Sequence, residues 1–126
     1  MTVVLDASAL LAVINDEPGA EMVEPLLDES IVSAVNLSEV AGKLVDRGAP
    51  EAEVRSVLEE LQLDVRPFDD DQAFRAAGLR LTVPSSFALG DRACLALAMS
   101  LRVPAVTADH EWSHLSVRGL KVTLVR

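Results

Sequence analysis

The chain of 126 residues contains little cysteine, little histidine and few aromatic side chains. Its one cysteine, Cys94, cannot form a disulfide within the chain, and no cluster of cysteine and histidine suggests a zinc site. The longest uncharged run, residues 81–90, has ten residues, whereas a membrane-spanning helix needs ~20. No lysine or arginine precedes the first apolar stretch and Asp6 interrupts it, so the sequence predicts no secretory signal. These absences favour a protein of the reducing cytoplasm with no membrane partner.

Apolar residues, in contrast, are plentiful. They make up half of the chain, which excludes a wholly disordered protein. One domain spanning residues 1–126 is expected, because two domains would each fall short of the usual ~100–200 residues. A domain of this size buries roughly two thirds of its unfolded surface, which is enough for a real core.

Charge is distributed unevenly along the chain, whose net charge is −9. Residues 1–71 hold 17 acidic and 4 basic side chains, and residues 72–126 hold 3 acidic and 7 basic ones. The overall charge does not suit a protein that grips a phosphate backbone by bulk attraction, although the second part could offer a local basic surface. The acidic first part suits a basic partner, and simple solubility explains it equally well.

Short β-branched runs alternate with helical patterns. Strands are predicted at 3–5, 31–33, 64–68, 105–108 and 122–125; helices are predicted at 7–15, 19–29, 35–46, from Pro50 onward, at 69–81 and at 91–101. Pro25 is expected to delay or kink the second helix, and Phe74, Ala77 and Leu81 share one side of the helix 69–81. The alternation predicts a layered α/β fold with a mostly parallel sheet. Such sheets bind ligands at the carboxyl ends of their strands, where the strand order reverses.

Four carboxylates stand out in this pattern. Asp6 follows the first strand, Asp109 follows the fourth, Asp91 opens the most apolar helix, and Glu39 lies on the amphipathic helix 35–46. If the first and fourth strands are neighbours, Asp6 and Asp109 approach each other, and Asp91 can join them. Carboxylates this close repel, so either a pKa rises or a hard cation such as Mg²⁺ or Mn²⁺ binds. With no histidine or cysteine cluster, an all-oxygen cation site fits the pattern.

Each of these acids also has a purely structural interpretation. Asp6, Asp91 and Asp109 are all placed to cap the helices that follow them. Glu39 and Lys43 have the i,i+4 spacing of an exposed ion pair. Spacing alone therefore leaves both interpretations open.

The strings around these acids resemble those of the PIN-domain ribonucleases, and among them the VapC-type toxins of toxin–antitoxin pairs. The matching strings are V-L-D-A-S-A-L-L-A at 4–12, N-L-S-E-V at 36–40, L-G-D-R-A-C-L-A-L-A at 89–98 and T-A-D-H-E-W at 107–112. They occur in the order typical of the family and span essentially the whole chain. Gly90, Asp91 and Arg92, with the Ala/Leu helix after them, form the strongest single match.

The resemblance implies a three-layer α/β/α sandwich and Mg²⁺-dependent cleavage of RNA, with Mn²⁺ as the other candidate ion. It places the catalytic acids at the family's acidic positions: Asp6, Glu39, Asp91 and Asp109. Asp6 and Asp91 would be the principal metal ligands, Asp109 would complete the set, and Glu39 would bind through water or orient the attacking hydroxide. Three polar residues would hold these carboxylates by hydrogen bonds: Ser8, Asn36 and Thr107. In the purely structural interpretation, the hydroxyl and amide groups of those three residues only form the hydrogen bonds of turns and helix caps.

The implied reaction is in-line attack by metal-activated water, which leaves 5′-phosphate and 3′-hydroxyl ends. The resemblance also implies a cognate antitoxin, a homodimer and a larger toxin–antitoxin assembly. Alternatives are a PIN ribonuclease of RNA processing without an antitoxin, an inactive PIN scaffold, and a phosphorelay receiver-like domain in which Asp69 would be the acceptor. The sequence leaves two interpretations open for each of two further residues, Arg92 and Trp112. Arg92 would touch phosphate or pair with an acid, and Trp112 would stack on a base or pack over the sheet.

Overall fold

The computed structural model describes all residues, 1–126, and contains one sheet of five strands. The strands are β1 (Val3–Leu5), β2 (Ser30–Ser33), β3 (Asp64–Arg66), β4 (Ala105–Thr107) and β5 (Val122–Leu124). All neighbouring pairs are parallel, and the strand order is β3-β2-β1-β4-β5. The chain moves outward from β1 to β3 and then returns to the other side of β1. The strand order therefore reverses between β1 and β4, which is where a parallel sheet binds ligands.

Six α-helices and three short 3-10 segments connect the strands. The α-helices are α1 (Ala7–Ile14), α2 (Ala20–Val23), α3 (Ala34–Asp46), α4 (Glu51–Glu60), α5 (Asp70–Gly78) and α6 (Leu89–Leu101); the 3-10 segments are Glu24–Glu29, Leu79–Leu81 and His110–His114. The predicted helix 19–29 changes to 3-10 geometry around Pro25, because proline lacks the N–H that an α-helical turn needs. None of the helices has the length and apolarity that a membrane crossing requires.

Helices cover both faces of the sheet, which confirms the predicted three-layer α/β/α sandwich. Successive side chains of a strand point to opposite faces, so Val3 and Leu5 of β1 enter one core and Val4 enters the other. The first core is completed by buried side chains of α1 to α4, and the second by those of α5 and α6. Helix α6 is buried almost all round, as its composition predicts.

The structure also shows how the predicted helix 69–81 is placed. It ends at Gly78 and continues as the 3-10 turn. The side that carries Phe74, Ala77 and Leu81 faces solvent, with Phe74 78% and Leu81 90% exposed. Ala76 and Leu79 face the core instead, because small side chains let α5 approach α6 closely. Its largest apolar side chains therefore do not mark its inner face.

Candidate active site at the carboxyl ends of β1 and β4

Asp6 is a buried acid at the point where the strand order reverses. It follows β1 directly and caps α1, since its Oδ1 accepts a 2.9 Å hydrogen bond from the Ala9 N–H. Its residue surface is only 4% exposed. Capping and burial thus coincide in one carboxylate, and the structural role expected of Asp6 does not exclude a chemical one.

Two neighbouring hydroxyl groups, 3.2 Å apart, hold the Asp6 carboxylate. Ser8 Oγ lies within donating distance of both carboxylate oxygens, 2.7 Å from Oδ1 and 2.9 Å from Oδ2, and Thr107 Oγ1, at the end of β4, donates to Oδ2 at 2.5 Å. The same hydroxyls accept hydrogen bonds from the β4 side: the N–H of Ala108 donates to Ser8, and that of Asp109 donates to Thr107. The network joins the carboxyl ends of β1 and β4 and fixes the orientation of Asp6.

The hydrogen bonds to Asp6 do not offset the effect of burial on its pKa. Burial raises the pKa of Asp6 from 3.8 to about 6, although the bonds from Thr107, Ala9 and Ser8 lower it. The negative charge of Asp91 raises it further. Both carboxylate oxygens face donors: Oδ1 faces the Ala9 N–H and the Ser8 hydroxyl, and Oδ2 faces the hydroxyls of Thr107 and Ser8.

Asn36 and Gly90 place Glu39 beside α6. The Nδ2 group of Asn36, a residue only 1% exposed, donates to Glu39 Oε1 and to the Gly90 carbonyl, both at 3.0 Å. Glu39 lies so close to Gly90 that an added Cβ there would be 2.0 Å from Oε1. Burial raises the pKa of Glu39, and the charge of Asp91 raises it further. Lys43 acts on Glu39 through its charge alone, so the expected ion pair does not form.

Asp91 interacts electrostatically with each of the three other acids. It lies in the first turn of α6, where its Oδ2 accepts a 2.9 Å hydrogen bond from the Ala88 N–H. Burial raises its pKa, and the negative charges of Asp109 and Glu111 raise it further. Asp109 itself caps the 3-10 helix His110–His114, with its Oδ1 accepting from the Glu111 N–H at 2.9 Å. Sequence reasoning missed Glu111, although it stands two residues beyond Asp109 in the motif.

The four acids form an open cluster in which negative charge predominates. None makes a salt bridge with a lysine or arginine. No three histidine, cysteine, aspartate or glutamate side chains are arranged to hold a metal ion among them. The donor set nevertheless fits a hard divalent cation, because every ligand is oxygen and Mg²⁺ keeps several of its own waters.

A mostly apolar cavity lies elsewhere in the molecule. It has a volume of about 580 Å³, lies between α3 and α4, and includes none of the four acids in its lining. A second cavity, at the amino ends of β4 and β5, is lined in part by Arg102 and Lys121, so these two bases lie at the opposite edge of the sheet from the acids. Charge and topology, rather than cavity size, identify the acidic cluster as the candidate site.

Arg92 and Trp112, whose roles the sequence leaves open, both make structural contacts. Arg92 Nη1 donates to the carbonyl of Ala76 at 3.1 Å, so it binds the end of α5 rather than an acid. Trp112 is only 1% exposed and packs against Phe87, with ring centroids 5.8 Å apart. Its ring is therefore not free to stack on a base, and the packing prediction is confirmed.

The fold and the site together define a class of protein: a parallel α/β/α sandwich with an acidic cluster where the strand order reverses. The family model described as PIN domain matches residues 3–117, and the chain belongs to this family. Ribonuclease VapC42 of Mycobacterium tuberculosis is 28% identical, with 91% of this chain and 96% of the relative aligned. A VapC ribonuclease of Mycobacterium bovis matches with the same identity and coverage.

Solved structures are similar over the full chain. VapBC2 from Rickettsia felis, bound to a DNA fragment from their promoter, has a TM-score of 0.75 at 17% identity and covers 100% of both chains. VapBC-5 from Mycobacterium tuberculosis, described as a member of the VapBC family of toxin–antitoxin systems, has a TM-score of 0.69 at 24% identity, covering 99% of this chain and 100% of that one. At these identities the likeness establishes the fold.

Proposed function

We propose that the protein is a metal-dependent endoribonuclease, the toxin of a type II toxin–antitoxin pair. The observation that carries the proposal is the cluster of Asp6, Glu39, Asp91 and Asp109 without a cationic partner at the reversal of strand order. Membership of the PIN domain family and relatives named as ribonucleases support the same activity. An acidic site can bind a polyanion only when a cation offsets its charge, so the proposal includes Mg²⁺ or Mn²⁺.

Asp6, Asp91 and Asp109 would hold the ion, and their roles follow from their surroundings. When bound, Mg²⁺ lowers the pKa of water and neutralises charge on a phosphodiester. Asp6 is fixed by Ser8 and Thr107, while Asp91 and Asp109 each retain one oxygen that accepts no hydrogen bond from the protein. Glu39 is anchored at Oε1 by Asn36, which leaves Oε2 to orient the attacking water. Attack by water with the ribose 3′-oxygen as the leaving group breaks the bond between that oxygen and phosphorus, and the products would carry 5′-phosphate and 3′-hydroxyl ends.

The antitoxin is proposed on two grounds. The first 71 residues carry a strong excess of acidic side chains, which suits a basic partner. A structure with the same fold from Mycobacterium tuberculosis is described as a member of the VapBC family of toxin–antitoxin systems. A homodimer joined to the antitoxin in a larger assembly belongs to the same proposal, as does action in the cytoplasm. A PIN ribonuclease without an antitoxin is the alternative, and it would act on RNA through the same acids.

The receiver-like alternative conflicts with the topology. Receiver domains have the strand order 2-1-3-4-5, which places the third strand beside the first. Here β3 is an edge strand, separated from β1 by β2. Asp69 follows β3 and caps α5 through the Gln72 N–H, so it lies apart from Asp6 and cannot act as an acceptor beside it.

The nuclease proposal is tested by incubating the purified protein with total RNA, with Mg²⁺ or with EDTA, and mapping new 5′ ends. We expect Mg²⁺-dependent fragments with 5′-phosphates, and their loss in Asp6→Asn and Asp91→Asn. Asp69→Asn is the matched control, because Asp69 caps a helix as Asp6 does but lies outside the cluster. Cleavage by Asp6→Asn or Asp91→Asn at the wild-type rate would refute the assignment of these residues.

The toxin proposal needs a separate test. Expression of the chain alone should arrest bacterial growth, and co-expression of a small basic-tailed protein encoded beside it should restore growth. Growth arrest that no neighbouring gene relieves would favour the ribonuclease without an antitoxin.

A further inference from the structure

The cavity at the amino ends of β4 and β5 lies outside the acidic site and carries two cationic side chains. It has a volume of about 400 Å³, within the range of about 300–1,000 Å³ that is typical of small-molecule pockets. It lies between the end of α6, the turn into β4 and the loop before β5, and it is lined by Met99, Arg102, Val103, Pro104, Gly119 and Lys121. The only charged residues of this lining are basic, and we call the cavity the basic pocket.

The pairing of β4 with β5 brings the two bases of the basic pocket together. Ala105 pairs with Val122, and the Ala105 N–H donates a 2.9 Å hydrogen bond to the carbonyl of Lys121. Arg102 stands three residues before Ala105, so its side chain and that of Lys121 line the same cavity. Both bases are exposed, and neither side chain forms a salt bridge or a hydrogen bond within the protein.

The backbone of Arg102 is in the left-handed conformation, with φ of 58° and ψ of 43°. Glycine or asparagine usually occupies such a position at the end of a helix, because a Cβ makes the conformation unfavourable. Strained backbone positions of this kind concentrate at functional sites. The carboxyl end of α6 favours a cation at Arg102 but does not account for Lys121, which lies in the loop before β5. A shared ligand accounts for both bases.

The backbone around the basic pocket also suits an anion. Carbonyl groups at the end of α6 would repel an anion, but those of Ala98 and Met99 already accept hydrogen bonds from the turn that follows, at 3.1 and 3.2 Å. On the facing loop, Gly119 has a φ of 82°, and the N–H groups of Gly119 and Lys121 donate to no acceptor in the protein. Arginine, lysine and backbone N–H groups that lack acceptors are the donors that phosphate sites use.

Acidic side chains do not neutralise the two bases. Residues 92–108 and 112–126, which supply the whole lining of the basic pocket, contain no aspartate or glutamate. Three aspartates at the start of α5, residues 69–71, lie near the end of α6, but one of them pairs with Arg75 and another caps α5. The charge of the basic pocket is therefore available to a ligand.

We propose that the basic pocket binds a phosphate group, with Arg102 and Lys121 as its cationic ligands and the N–H of Gly119 as a further donor. Such a group comes either from the backbone of RNA or from a small phosphate compound. The basic pocket contains none of the four acids and lies at the opposite edge of the sheet from them. The site is therefore separate from the proposed nuclease site and does not depend on a divalent cation.

The first experiment titrates the ¹⁵N-labelled protein with sodium phosphate in EDTA, against sodium chloride at the same ionic strength. Phosphate should shift the amide signals of Gly119 and Lys121 and reach saturation, whereas chloride should not. Arg102→Gly removes the guanidinium and relieves the strained backbone, so this variant should fold and bind phosphate about tenfold more weakly. Arg47→Ala is the matched control, because Arg47 ends α3 as Arg102 ends α6 but has an ordinary φ of −86° and lies outside the basic pocket.

Two results of this titration would overturn the proposal. One is a phosphate effect on Gly119 and Lys121 that does not saturate in the wild type. The other is equal phosphate affinity in Arg102→Gly and Arg47→Ala. Neither result bears on the proposed nuclease, whose test is Mg²⁺-dependent cleavage at the acids.

The second experiment distinguishes the two sources of phosphate. A short fluorescein-labelled single-stranded RNA is titrated with the protein in EDTA, and binding is followed by fluorescence anisotropy. If RNA is the source, Arg102→Gly and Lys121→Ala should each weaken RNA binding about tenfold, and Arg47→Ala should not. RNA binding that is equal in all three variants, together with saturable phosphate binding, identifies a small phosphate compound as the ligand.

Discussion

The hydroxyl of Thr107, the last residue of β4, donates a 2.5 Å hydrogen bond to Oδ2 of Asp6, the residue after β1. The bond spans the reversal of strand order and lies in the buried interior. Thr107 Oγ1 also accepts from the Asp109 N–H, so one side chain connects two acids of the cluster. Because Thr107 belongs to β4 and bonds to both residues, the pairing of β1 with β4 holds Asp6 and Asp109 near each other.

The Thr107→Val variant tests the contribution of this hydroxyl. Valine keeps the shape of threonine but removes the donor, and a hydrogen bond to a charged group contributes about 1.5–3 kcal/mol to stability. We expect a loss of that size in the free energy of unfolding, measured in urea. In an Asp6→Asn background the loss should be smaller, since the charged acceptor is gone. Equal losses in both backgrounds would show that the cause lies outside the Asp6 contact.

The stability of the protein should depend on pH through Asp6. Because burial raises the pKa of Asp6 from 3.8 to about 6, the folded state holds a proton that the unfolded state releases in this range. The stabilisation from that proton is complete below about pH 4 and is lost as the pH rises through about 6. The full effect is roughly 3 kcal/mol.

The pH effect is measured as the difference in free energy of unfolding between wild type and Asp6→Asn. The wild type should lose stability relative to the variant between about pH 4 and pH 7 in a metal-free buffer. Asp69→Asn, which removes a capping carboxylate outside the cluster, is measured beside them as the control for the loss of one carboxylate. A difference between wild type and Asp6→Asn that stays constant over this range would contradict the account.

Gly90→Ala should separate stability from activity. An alanine Cβ would be 2.0 Å from Glu39 Oε1, so the flexible end of the Glu39 side chain must move. The helix itself favours alanine by about 0.5–1 kcal/mol. We expect unchanged or higher thermal stability together with a loss of RNA cleavage. Gly42→Ala is the control, because Gly42 lies in α3 with open space around its Cβ position. Wild-type cleavage by Gly90→Ala would show that the placement of Glu39 is not needed.

The sequence predicts the five strands and the acids that follow them well, because short β-branched runs and capping acids are local signals. Asp6 and Asp109 could be placed at strand ends, and the resemblance to the PIN family indicated that Ser8 and Thr107 would hold the carboxylates. The cross-strand bond between Thr107 and Asp6 depends on β1 pairing with β4, which no local pattern specifies.

Long-range packing decides what the sequence could not predict. Phe74 and Leu81, which the sequence places on one side of a helix, face solvent, because Ala76 makes the closer contact with α6. Arg92 was expected to touch phosphate or pair with an acid, whereas its guanidinium donates to a carbonyl of α5. The sequence left Trp112 open between stacking on a base and packing, and only the structure shows its burial against Phe87.

The central claim is that the acids around Asp91 bind a divalent cation, and Mn²⁺ tests it most directly. Crystals soaked in Mn²⁺ should show an anomalous scattering peak bounded by the carboxylates of Asp6 and Asp91, at the carboxyl ends of β1 and β4. Crystals of Asp91→Asn should lack that peak. A wild-type crystal in Mn²⁺ with no anomalous peak among these acids would contradict the account.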